Sequence, residues 1–327
     1  MALESFVNSL NFMLMVFFLV PLSCIVVAMP HVIRKMRENG IVVKDMYKMN
    51  LPDVPTNGGL VIILVAMFSM SIISLFYSKY IHQVNHTIMI VVALFALFGL
   101  LDDIIDIGRA AKLILLYYCS YSLIPLATTT VVNFPFIGAI DLDIIYLQLI
   151  IPTYVPVVAN LVNMHSGFNG LAPGLSLIIL TTLILKTFFY GNVFKILFIL
   201  CLTGALAGYF WFEKYPSRIF WGNVGALSVG AAIGATIAIE GYIVSGFIML
   251  IPHTVNFLLY VYWRLNINKY PFQKFGRVRE DGTLEVPNPL TLKWVLPYYF
   301  RVTERQATLA MYGLTALFCV IGFFVPG

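Results

Sequence analysis

The stretch LLDDIIDIGRAAK puts Asp102, Asp103 and Asp106 at the end of one apolar run and Lys112 at the start of the next. Carboxylates beside hydrocarbon are costly when left alone, so a metal ion, a lysine or a cationic part of a substrate is expected against them. The plainer alternative is a set of hydrated charges at a helix end. A second stretch, VVANLVNMHSGFNGLAPG, holds Asn160 and Asn163 at a spacing that shares one helix face, then Asn169 beyond a turn at Gly167. Uncharged carboxamides at a membrane edge suit a cation bound through carbonyl oxygen, or hydrogen bonds to a base or sugar. They also suit packing between spans. His165 has no second histidine at ligand spacing and reads as a satisfied loop histidine rather than a metal ligand.

Two more clusters share this character. In EKYPSRIFWGNVGALSVG a helix beginning near Asn223 offers free amides to phosphate, Arg218 offers a bidentate contact and Phe220 a stacking face. A small-residue helix interface explains the same glycines. In VVKDMYKMNLPDVPTNGGL, Asp45 and Lys48, with Lys44, can engage a nucleotide or lipid phosphate, while Asn57, Gly58 and Gly59 permit a tight turn. A solvated run of charges beside a membrane is the competing explanation.

Long apolar segments must position all four clusters. They lie near residues 6–29, 57–78, 85–101, 112–129, 144–162, 171–185, 192–211, 224–239, 241–262 and 307–326. Most are long enough to cross a hydrocarbon core of about 30 Å, which predicts an all-α integral membrane protein of about ten helices. Alternate gaps hold Arg34, Lys35, Arg37, Lys44 and Lys48; Arg109 and Lys112; Lys214 and Arg218; and Arg264, Lys269, Lys274, Arg277, Arg279, Lys293, Arg301 and Arg305. Only Lys79, Lys186 and Lys195 fall in the others. The positive-inside bias therefore places the four clusters on the cytoplasmic side and both termini outside. That count depends on a break at Glu240–Gly241, without which the most basic loop faces the wrong way.

A chain that is 60% hydrophobic and 11% charged, against about 25% charged residues in soluble domains, takes lipid as its solvent. Its net charge of +5 is spread over loops flanking lipid, which favours anionic headgroups or a phosphorylated substrate over nucleic acid. Cys24, Cys119, Cys201 and Cys319 each sit inside an apolar run and read as small core residues. The first segment reads as a retained span rather than a cleaved signal. Without a repeat or linker, residues 1–327 read as one polytopic membrane domain. Residues 263–306 form a small cytoplasmic loop subdomain before the last helix, with Asp281–Gly282 as a turn between short strands.

Taken in order, VVKDMYK, LLDDIIDIGRAAK, NLVNMHSGFNGLAPG, YPSRIFWGNVG, TVNFLL and GRVREDGTLEV resemble the polyprenyl-phosphate N-acetylhexosamine-1-phosphate transferase family. The resemblance covers most of the chain and is nearest to the archaeal and eukaryotic UDP-N-acetylglucosamine:dolichyl-phosphate branch. It implies transfer of N-acetylglucosamine-1-phosphate from UDP-N-acetylglucosamine to dolichyl or polyprenyl phosphate, with release of UMP, as the start of lipid-linked glycan synthesis for protein glycosylation. It implies Mg2+, with Mn2+ as a substitute, contacting Asn163 and Asn223. Lys112 would meet the diphosphate, and Asp102 and Asp103 would form the acidic pair beside the lipid phosphate. Asn169 and Phe220 match residues that hold uracil, Asp45 and Lys48 match the family's first loop, and Asn160 matches an asparagine lining the site. Arg218, Lys274 and Arg277 are further substrate-binding candidates. Such enzymes lie in the cell membrane of prokaryotes or the endoplasmic reticulum of eukaryotes, with a cytoplasmic active site, and homodimers are common among them.

The chain departs from that pattern twice. Asn223 stands where the family usually has aspartate, and FQKFGRV stands where this branch usually has an Arg-His-Arg sequence; residues 263–306 hold no histidine. Gln273 and Lys274, with Arg277 and Arg279, are the nearest stand-ins. These departures leave the sugar less determined than the reaction and keep a different UDP-sugar, or a non-catalytic homologue, as alternatives. A membrane transporter is a further alternative, but it calls for polar groups at mid-depth and for repeat symmetry, whereas these polar groups gather at one edge.

Overall fold

The computed structural model describes residues 2–105 and 108–326. Asp106 lies outside them, and so does the side chain of Arg109. The first half runs α1 (Ala2–Glu38), the hairpin β1 (Val42–Lys44) and β2 (Asp53–Pro55), α2 (Gly59–Tyr77), α3 (Gln83–Ile105), α4 (Arg109–Ser120), the hairpin β3 (Val131–Phe134) and β4 (Gly138–Asp141), α5 (Asp143–Ile145) and α6 (Ile151–Met164). The second half runs α7 (Leu171–Tyr190), α8 (Leu197–Glu213), α9 (Gly222–Ile239), α10 (Ile243–Met249), α11 (Ile251–Leu265), β5 (Arg277–Val278), β6 (Leu284–Glu285), α12 (Leu292–Tyr299) and α13 (Glu304–Phe324).

Among the described residues, eight helical segments are long and apolar enough to cross a membrane, so the chain is a multi-pass membrane protein. The ten apolar runs resolve unequally. The run at 241–262 is the pair α10 and α11, bent by 65°, where Pro252 withholds the amide that would continue the helix. The run at 112–129 is a shorter apolar helix, Ala111–Leu126. The break expected at Glu240–Gly241 is present, with Gly241 at φ 75°.

Helix α9 lies at the centre, 89% buried, and its small residues explain why. A Cβ on Gly230 would stand 2.6 Å from Ala159 Cα and one on Gly234 would stand 3.0 Å from Val155 Cα. The α6 and α9 backbones can approach this closely only across a small-xxx-small face.

The loops that share the positive charge meet at one end of the bundle. They carry a hydrophobic cluster of their own, which includes Tyr47, Phe168, Trp263, Leu284, Trp294 and Met311. Trp294 Nε1 donates to the Tyr47 hydroxyl at 3.1 Å, and burial pushes the Tyr47 phenol up to about 12. The two strands expected around Asp281–Gly282 pair antiparallel, Arg277 with Glu285 and Val278 with Leu284. Helix α12, which the charge-rich composition of 263–306 concealed, fills out this cap.

Candidate active site at the charged end of the bundle

The acidic pair ends α3, and Gly99 one turn earlier lets that end reach α9. A Cβ there would lie 2.7 Å from Asn223 O and from Val224 Cα. The approach sets Asp103 against the free amides of the first turn of α9, a favourable place for a carboxylate; Asn223 N donates to Asp103 Oδ2 at 3.1 Å. Asp102 Oδ2 accepts from Lys112 Nζ at 2.7 Å and from the Asn223 carboxamide at 3.3 Å. Asp102, Asp103, Lys112 and Asn223 thus form one row built from three helices.

A second cluster lies under the loop between α6 and α7. Asn169 donates its side-chain amide to Asp45 at 3.1 Å and its backbone amide to Glu304 at 2.6 Å, and its carbonyl oxygen accepts from Ser217 N at 2.9 Å. Lys48 pairs with Glu304 at 2.5 Å and Asp45 at 3.2 Å and lies over the Tyr215 ring. Asp45, Asn169 and Glu304 are almost wholly buried. Asp45, Lys48 and Asn169 therefore come together as three of the candidates, and Glu304 joins them unannounced. Its signal in the sequence, Thr303-x-x-Gln306, is a capping box that is present at the start of α13 and reads as helix punctuation.

Lys112 also lines an apolar groove of about 970 Å³ between α4, α6, α10 and α11, together with Asn160, Leu161, Phe257, Leu258 and Arg264. Asn160 turns its amide back to Pro156 O at 2.8 Å. Asn163 stands one turn further along α6, its carbonyl accepting from Ser166 Oγ at 2.7 Å. Arg264, half-exposed at the end of α11, passed in the sequence as one more flanking charge.

The remaining candidates are spread more widely. Phe220 is held by its backbone, N to Pro55 O at 2.8 Å and O from Gly58 N at 2.9 Å. Arg218 folds back on the end of α8, donating to Trp211 O at 3.1 Å and lying over the Phe212 ring. Lys274 stacks on Phe275. Arg277 is exposed in β5. His165 is not a satisfied loop histidine. It is buried edge-to-face against His253 at 4.7 Å, with no hydrogen-bond partner for either ring nitrogen among the described residues. Burial holds its imidazole well below the usual histidine range.

Comparison with known proteins shows the family of the chain. Residues 85–242 match glycosyl transferase family 4. A protein of Saccharolobus solfataricus with the provisional name UDP-N-acetylglucosamine–dolichyl-phosphate N-acetylglucosaminephosphotransferase is 32% identical over 89% of this chain and 89% of its own length. The chain belongs to this family. A Sulfolobus acidocaldarius protein of the same provisional name is 29% identical over 87% of the chain, and a phospho-N-acetylmuramoyl-pentapeptide-transferase of Clostridium kluyveri is 32% identical over 55%. The family match takes in the row and Asn169, and ends before α10, α11 and Glu304.

Proposed function

We propose that this family member transfers N-acetylglucosamine-1-phosphate from UDP-N-acetylglucosamine to dolichyl or another polyprenyl phosphate on the cytoplasmic side of its membrane. The observation that carries this reading is the double position of Lys112, paired with Asp102 and at the same time lining the apolar groove. A phosphate-headed lipid with its chain in that groove brings its headgroup to the ammonium.

The chemistry follows from the charges. An oxygen of the lipid phosphate attacks the β-phosphorus of the UDP-sugar; the new O–P bond forms as the bond from β-phosphorus to the bridging oxygen breaks, and UMP leaves with that electron pair. Two anions must approach in line, so positioning and charge neutralisation dominate the barrier. Lys112 neutralises the lipid phosphate, and Asp102 orients Lys112. Asp103 is held by the first backbone amides of α9. Asn169, fixed by Asp45, Ser217 and Glu304, and Phe220, fixed by Pro55 and Gly58, are the candidates for the nucleotide end.

The donors present fit Mg2+. Asn223 gives its N–H to Asp102, so its carbonyl oxygen would be available to hold a cation together with Asn163 and Asp103. Magnesium takes such oxygen donors and completes its coordination with water and substrate phosphate. When bound, it would screen the diphosphate charge. Manganese would serve in the same oxygen set.

The test is UMP release by purified protein from UDP-N-acetylglucosamine with dolichyl phosphate, with and without Mg2+, beside UDP-N-acetylgalactosamine and UDP-glucose. Release that needs lipid and metal and prefers one sugar supports the reading and names the donor. No release from folded protein with any donor overturns it.

A further inference from the structure

We propose that Asn57 is a substrate-contacting residue of this centre, its carboxamide meeting the transferred phosphoryl group from the donor side; the proposal rests on the transferase reading above. Asn57 lies between β2 and α2 with φ 65°, a left-handed conformation that glycine adopts freely and asparagine more readily than other side chains. Its neighbours Gly58 and Gly59 are glycine, yet the left-handed position carries a side chain.

The backbone around it is pinned. Phe220 N donates to Pro55 O at 2.8 Å, Gly58 N to Phe220 O at 2.9 Å, Gly59 N to Trp221 O at 3.0 Å, and Thr56 N to Ile41 O at 3.3 Å. These bonds fix the direction in which the Asn57 side chain leaves the backbone.

What the conformation achieves is the placement of a side chain. A Cβ on Gly222 would collide with Asn57 Oδ1 and stand 3.0 Å from Asp103 Oδ2. The carboxamide and the carboxylate therefore converge above the first residue of α9, where Gly222 itself has φ 71°. Among the described residues the Asn57 carboxamide makes no hydrogen bond, and the side chain is half-buried. Asn57 thus extends the row: Lys112, Asp102, Asn223, Asp103, Asn57.

The row has a direction. Lys112 is the end that opens on the apolar groove, so a lipid phosphate arrives there. In-line transfer then requires the donor diphosphate on the other side of the transferred phosphorus, which is the Asn57 end. The pinned segment also holds Phe220 on both sides, so the candidate nucleotide contact and Asn57 share one frame. A neutral amide there donates a hydrogen bond to a non-bridging phosphoryl oxygen without adding charge beside Asp103.

The discriminating variant is Asn57→Gly, because glycine relieves the positive φ. A residue that serves only the turn predicts equal or higher thermal stability and full activity. A phosphoryl contact predicts the same stability with kcat for UMP release lowered about 100-fold, the usual cost of one preorganised donor. Asn57→Asp keeps the shape but replaces the donor by a second carboxylate, and is expected to lose at least as much. Wild-type rate in Asn57→Gly overturns the proposal while the transferase reading stands; a silent wild type in the same assay removes both.

Discussion

The row and the network under the α6–α7 loop are built from the same residue types, but they differ in how far their polar atoms are used. In the network, Asp45, Lys48, Asn169 and Glu304 satisfy one another: Glu304 engages both carboxylate oxygens, and the Asn169 carboxamide uses both ends. In the row, both bonds to Asp102 fall on one carboxylate oxygen, and among the described residues the Asn223 carbonyl oxygen and the Asn57 carboxamide have no hydrogen-bond partner. A saturated buried cluster fixes backbone, whereas a half-used one beside an apolar groove leaves atoms for substrate. On the proposed function, the network frames the site and the row carries the chemistry.

The strongest way to break that contrast is in the row. Asp102→Asn and Lys112→Ala should each lower kcat about 1000-fold or more, with the detergent-solubilised fold intact by thermal melting. If either keeps near wild-type turnover, the row is not the chemical centre. In the network the order of effects should invert. Glu304→Ala leaves the partly buried Lys48 with Asp45 alone and the buried Asn169 amide without its acceptor, which costs about 2 kcal/mol of stability. Because Asn169 is then released, KM for the UDP-sugar should rise more than kcat falls, and Glu304→Gln, which keeps an acceptor for Asn169 N, should recover part of the KM. A kcat collapse without a KM change would place Glu304 in the chemistry.

Much of this contrast could be read before the fold was known, and the part that could not has a physical cause. Apolar length and alternate-gap charge locate the spans and bring the right loops to one end, because both depend on composition over many residues. Asp102, Asp103 and Lys112 stood out as candidates because ionisable groups beside hydrocarbon demand partners, and Asn223 because it opens a helix whose free amides suit phosphate. Glu304 was not, since a carboxylate in a first turn is already explained by the helix dipole. Arg218 is the reverse case: a cation in a promising motif whose guanidinium finds a carbonyl and a ring at the end of α8. The bend between α10 and α11, which shapes the groove, depends on Pro252 and on packing that no single-residue signal conveys.

The groove gives a sharper and smaller effect. Val157 lines it and is 44% exposed, so Val157→Trp fills space that a lipid chain needs without disturbing a buried neighbour. KM for dolichyl phosphate should rise about tenfold, the order expected for a steric change worth 1–3 kcal/mol in an apolar pocket, while KM for the UDP-sugar stays constant. Equal changes in both would mean that the groove is not the lipid's alone.

The smallest effect expected is at Arg218, and it tests the contrast from outside. Its guanidinium is exposed and folded against Trp211 and Phe212, away from both clusters, so no unpaired buried charge is left when it is removed. Surface substitutions of this kind change free energies by about 0.5 kcal/mol or less, which is roughly a twofold change in any rate or KM. Arg218→Ala should therefore leave kcat and both KM values within about twofold of wild type. A tenfold rise in KM for the UDP-sugar alone would show that Arg218 swings onto the donor's phosphates when substrate binds. The donor's charge would then be met by a cation that lies outside both clusters.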